Sequence, residues 1–246
     1  MGLLDIFSKD KRDQRTLAKN IERALSKHAQ SGDRLRALEA LATDGSEEAL
    51  YGMLRRFKLQ YHKTIEDEQE KEWVFETLVA KGKAVLPAVR RYILSADSVS
   101  WPLRILEKVA DPEEEMSALI SALDRHEPGY ERDPTKKIQL LTHVASLKDE
   151  RAAGIIVPYL KDMDEGVRYT AVEGLLRPKR QEIARPALLE LFVSDEEESL
   201  RIRLRICEGF AEMGWLVQGF RGSVEKKLPD AYQLDREGHI KRKPQG

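Results

Sequence analysis

Asp164–Leu175 reads DEGVRYTAVEGL. An aspartate stands where a helix needs a cap, and the residues after it are apolar along one side only. Five further windows align with Val167–Leu175 without gaps: Asp33–Leu41, Trp73–Lys81, Trp101–Val109, Gln139–Leu147 and Ile202–Phe210. Their third positions read Leu35, Phe75, Leu103, Leu141, Tyr169 and Leu204, and their sixth Leu38, Leu78, Leu106, Val144, Val172 and Cys207. The ninth is apolar in five of the six, with Lys81 the exception. This period predicts a helix with one core-facing side. The windows recur every 28 to 40 residues, a spacing that predicts stacked helical pairs.

A second marker lies between windows. Ala84–Val89, Ile155–Leu160 and Ile183–Leu188 each place a proline (Pro87, Pro158, Pro186) within an apolar run. Proline is tolerated in a first turn, where its missing N–H had no acceptor. Each run is therefore expected to open a second helix that returns against the first.

Asp164, Val167-Arg168, Ala171 and Leu175, followed by a proline-containing apolar helix, resemble a HEAT repeat in the short form common in bacterial proteins. The resemblance extends over about residues 33–228. It implies an all-α, right-handed α-solenoid of about six helical pairs, and a polar ladder of aspartate and arginine between neighbouring repeats. Arg34, Arg168 and Arg203 match the ladder arginine, whereas Val74, Pro102 and Leu140 interrupt it in the centre. The family motif speaks to shape rather than activity.

The expected organisation is an N-terminal segment and capping helix over 1–30, a repeat region over 31–228 and a C-terminal hairpin or tail over 229–246. The tail residues Tyr232-Gln233-Leu234 and His239-Ile240-Lys241 flank a glycine-containing turn, the pattern of a small hairpin. The N-terminal Leu3, Leu4, Ile6 and Phe7, followed by Lys9, Lys11, Arg12 and Arg15, fit either a cap on the first repeat or a weak membrane-surface contact through residues 2–15.

Charged residues make up 35% of the 246-residue chain, yet 42 basic residues against 43 acidic ones leave a net charge of −1. Dedicated nucleic-acid binders carry a basic excess, so no nucleic-acid partner is expected. The single cysteine, Cys207, falls at a core position, which fits a reducing, cytoplasmic setting. The longest apolar run, Ala152–Leu160, is too short to span a bilayer.

Phosphate-binding glycine loops, zinc spacings and nucleophile elbows are missing from the sequence, so no catalytic residue, cofactor or metal is expected. HEAT-like di-iron hydroxylases use several His-Glu pairs, and His126-Glu127 is the one such dipeptide here. HEAT-like alkylpurine DNA glycosylases hold a lesion with aromatics beside an acid, which directs attention to Trp73 and Trp101. Their window position is filled by Val167 and Ile202 elsewhere, so both tryptophans are expected in the core.

Cations recur near the ends of the second helices: Arg55, Arg56, Arg90, Arg91 and Arg125. In HEAT-type solenoids second helices line the concave face, so these five are the expected contacts for a protein partner with an acidic segment. The competing account is that cations at helix C-termini complement the macrodipole. The expected function is a non-enzymatic scaffold or adaptor presenting an extended surface. The alternative is a nucleic-acid-acting enzyme of the glycosylase kind.

Overall fold

The computed structural model describes residues 3–60 and 64–244. Among these residues the chain forms thirteen α-helices and one two-stranded antiparallel hairpin. The fold is all-α, and no helix among the described residues is long and apolar enough to cross a membrane. The Tyr61-His62 connection lies outside the described residues. So do the N-terminal apolar side chains on which the membrane-contact expectation rests. The chain divides into two compact units, residues 1–118 and 119–246.

Unit one contains α1 (Leu3–Ala24), α2 (Ser31–Asp44), α3 (Glu47–Leu54), α4 (Thr64–Ala80), α5 (Leu86–Ser95) and α6 (Ser100–Val109). Gly45, with φ 64°, ends α2 by sending its N–H back to Leu41 O. Ser46 then caps α3 by accepting from Ala49 N at 3.3 Å. The first helices α2, α4 and α6 pack in succession, α3 packs on α5, and α1 covers α2 and α3. The unit boundary falls inside α7 (Pro112–Leu123).

Unit two contains α8 (Thr135–Ser146), α9 (Arg151–Ile156), α10 (Glu165–Leu175), α11 (Gln181–Val193), α12 (Leu200–Met213) and α13 (Arg221–Lys227), then β1 (Tyr232–Leu234) and β2 (Ile240–Arg242). Asp164 caps α10 as its sequence position suggests, accepting from Val167 N at 3.0 Å. α10 packs on α8 and α12, and α11 on α13 and on the 3₁₀ turn Val157–Lys161 that follows α9. The hairpin pairs Tyr232 with Arg242 and Leu234 with Ile240, and β2 lies on α12.

The sixth window position is fully buried in all six helices. The second position is buried or half-buried throughout, but the third is buried only at Leu103 and Leu141. At about 100° per residue, positions two, five, six and nine share an arc of about 100°, while one and three fall on its edges. This corrects the expectation for the tryptophans. Val167 and Ile202 are small enough to be buried at that edge, whereas Trp73 and Trp101 are only half-buried.

Two prolines also sit differently from expectation. Pro87 opens α5, but Pro158 lies in the 3₁₀ turn that continues α9, and Pro186 is inside α11. A proline N cannot donate, so α-helical bonding gives way at Pro158. At Pro186 the forfeited bond is to Glu182, in the first turn of α11.

Buried ion pairs link consecutive pairs of helices. Arg34 Nε donates to Glu70 at 3.1 Å, Lys137 Nζ to Asp162 at 2.8 Å, and Arg168 Nε to Glu197 at 2.7 Å. The acids belong to the next first helix or the loop before it: Glu70 lies in α4, and Asp162 and Glu197 lie ahead of α10 and α12. Lys137 supplies the cation just ahead of the window that carries Leu140 where two others carry Arg34 and Arg168. Each arginine also donates to the loop ahead of its own helix: Arg34 to Ala29 O, Arg168 to Asp162 O and Met163 O, Arg203 to Ser194 O and Glu197 O. Arg203 Nε meets no acid; among the described residues it is the buried side-chain polar atom left without a partner.

Candidate functional site

The site begins at the 3₁₀ turn Arg55–Lys58 that follows α3. Successive residues of such a turn point about 120° apart, so neighbouring arginines cannot share an environment. Arg56 turns inward and its side chain is 0% exposed. Its guanidinium donates to Glu70 and Asp67 of α4 and to Leu59 O. Glu70 also accepts from Arg34, and Asp67 from Lys71 at 2.7 Å. Burial alone would raise the Asp67 carboxyl. Hydrogen bonds from Lys71 and Arg56 outweigh it and hold the group below the usual carboxylate range. Arg56, expected on the partner-facing surface, is instead the centre of a buried ionic cluster.

Arg55 turns outward, towards the end of α1. It borders a pocket of about 660 Å³ with half-buried Ile21 and Leu25 as its floor, Ala18 exposed at its edge, and Lys27, His28 and Glu22 around it. Gly52 sets the depth of this floor. A Cβ there would lie 2.7 Å from Ile21 Cγ1, so the missing side chain lets α3 close on α1. Two cations, Lys27 and Arg55, against the one acid Glu22 give the pocket a net positive rim above an apolar base. Lys27 and His28 were not singled out from the sequence. The sequence carries the capping helix past both, to about residue 30, whereas α1 ends at Ala24 and leaves them in the turn that follows.

The other expected contacts are dispersed. Arg90 is exposed on α5. Arg91 reaches back to α3, donating to both oxygens of Glu48 at 2.5 and 3.4 Å with its Cζ 4.0 Å from the Tyr51 ring. Its charge is thereby answered inside unit one. Arg125 belongs to unit two and is exposed beyond α7.

Trp101 is packed by its own neighbours. Phe57 stacks on it at 5.1 Å and 7°, and Arg104 Cζ lies 4.4 Å from its ring and 4.5 Å from that of Phe75. Arg104 in turn pairs with Glu72 at 3.7 Å.

No family model matches the chain, and no curated protein matches it.

Two other clusters have evident structural roles. In the 124–133 loop, His126 Nδ1 lies 2.8 Å from Glu131, and Gly129 is held by Asp162 through its N–H and by Lys137 through its carbonyl. The loop is thus tied to the ladder, with Tyr130 standing out at 79% exposed. Asp235, Glu237 and His239 bring possible metal-ligand atoms within 4.8 Å of one another. Asp235 Oδ1, however, accepts from three backbone N–H groups of the hairpin turn, and Lys241 already stands 2.7 Å from Oδ2. These bonds, led by that from Lys241, hold the Asp235 carboxyl well below its usual range. The arrangement is a turn clamp. Cys207 is buried, and burial pushes its thiol up to about 12, which leaves it unreactive at neutral pH.

Proposed function

We propose that the helical pairs of each unit are HEAT-like repeats stacked as a right-handed solenoid, and that the protein is a non-enzymatic scaffold for a protein partner. The alternation of first-helix and second-helix contacts within each unit supports the repeat reading. The observation that carries the functional reading is the pocket beside Arg55. Its apolar floor takes an apolar side chain, and Lys27 and Arg55 favour carboxylates beside it. The partner segment is therefore acidic, with at least one apolar anchor. Helix-end cations that merely offset the macrodipole would act one at a time and would show no preference for such a segment.

The test is fluorescence anisotropy with two labelled peptides, one alternating Leu and Glu, the other Leu and Lys. The Leu/Glu peptide binds, and Lys27→Glu with Arg55→Glu lowers its affinity at least 10-fold. Equal binding by the double variant removes the pocket from consideration.

The nucleic-acid-acting reading ranks second. It needs a tryptophan ring to receive a base, and Phe57 and Arg104 already occupy that of Trp101. Base release from alkylated DNA would restore it.

A further inference from the structure

A second groove, in unit two, has the opposite charge. It lies between the 3₁₀ turn Val157–Lys161 and α11 and encloses about 840 Å³, within the range of about 300–1,000 Å³ typical of ligand pockets. Val157, Leu160, Ala187 and Leu191 form its floor. Ala187 follows Pro186, and its small side chain leaves the middle of the floor open.

The rim decides the charge. Of its ionised side chains, Asp162 and Glu197 are buried and answered within the chain by Lys137 and Arg168. The exposed ones are Glu190, Asp195 and Glu196 against Lys161. Lys227 shares Asp195 at 2.5 Å, which leaves Glu190 and Glu196 against Lys161 and a net negative field at the mouth. The two buried pairs also fix both walls before any ligand arrives, so little ordering is needed on binding. Met163 stands at the mouth, 69% exposed, with a side chain that adapts its shape to an incoming group.

We propose that this groove binds a basic segment of a partner protein, one apolar side chain entering between Ala187 and Leu160 while flanking Lys or Arg residues meet Glu190 and Glu196. The chain would then hold two clients of opposite charge, one per unit. The inference stands on unit two alone and does not need the pocket beside Arg55.

The same two peptides test it. The Leu/Lys peptide binds the wild-type protein and weakens as salt rises. Its affinity falls at least 10-fold with Glu190→Lys plus Glu196→Lys, and as much with Ala187→Trp, which fills the floor. Lys27→Glu with Arg55→Glu leaves it unchanged, so failure here and failure of the first pocket are read separately. Glu190 and Glu196 are exposed, so the charge-reversal variant keeps the question open to refutation even if Ala187→Trp does not fold. Undiminished binding by the charge-reversal variant overturns the proposal, as does equal binding of the Leu/Glu peptide at this groove. A mass that doubles with concentration in sedimentation, and that the groove substitutions return to the monomer, also overturns it, in favour of a second copy as occupant.

Discussion

Arg56 and Glu70 meet inside unit one, and Glu70 accepts from Arg34 at the same time. One carboxylate thus joins two guanidiniums, with Asp67 and Lys71 completing a cluster in which no side chain is more than 8% exposed. Removing Arg56 leaves Glu70 with Arg34 alone and Asp67 with Lys71 alone. Arg56→Gln is expected to cost about 3–5 kcal/mol, because two buried carboxylates lose the guanidinium they share. Arg55→Gln, one residue earlier, should stay within about 0.5 kcal/mol. Urea unfolding followed by circular dichroism compares them, and similar midpoints would show that the cluster contributes nothing.

The same cluster makes stability depend on pH. The Asp67 carboxyl lies below its usual range when folded, so the unfolded chain binds its proton more readily. Its contribution is complete above the unfolded value of about 4 and is lost as pH falls through the lower folded value. Asp67→Asn removes that dependence. The gap in urea midpoint between wild type and Asp67→Asn should be widest at pH 7 and close below pH 4; a constant gap would contradict the assignment.

Arg168 and Arg203 occupy the same window position with different partners. Glu197, its side chain 1% exposed, depends on Arg168, whereas no acid meets Arg203 Nε. Arg168→Gln is expected to cost about 3 kcal/mol and Arg203→Gln about 1 kcal/mol, since the latter gives up bonds to carbonyls only. Thermal melts of the two variants should rank in that order.

Gly209 lies where α12 meets the end of α10. A Cβ there would fall 2.4 Å from both Leu176 methyls. Gly209→Ala should therefore lose about 1–3 kcal/mol in spite of alanine's better helix propensity. Gly222, whose Cβ would meet nothing within 4 Å, is the control. A stabilised Gly209→Ala would mean that the two helices move apart at little cost.

Helix periodicity was legible because a buried position recurs: Leu38, Leu78, Leu106, Val144, Val172 and Cys207 are all fully buried. The edges of the apolar arc were not legible, since whether Phe75 or Trp101 is covered depends on what the adjacent helix brings. Arg55 and Arg56 illustrate the limit at the site. Identical residues in sequence, they are separated by the geometry of one 3₁₀ turn, and nothing in a run of two arginines says which faces Glu70. Burying a charge is decided by partners far along the chain, such as the glutamate 29 residues after Arg168.

In the three cross-links of Arg34, Lys137 and Arg168 the cation comes first. Arg34 precedes Glu70 by 36 residues, Lys137 precedes Asp162 by 25, and Arg168 precedes Glu197 by 29. A chain made from its N-terminus therefore emerges with each cation ahead of the acid that will hold it.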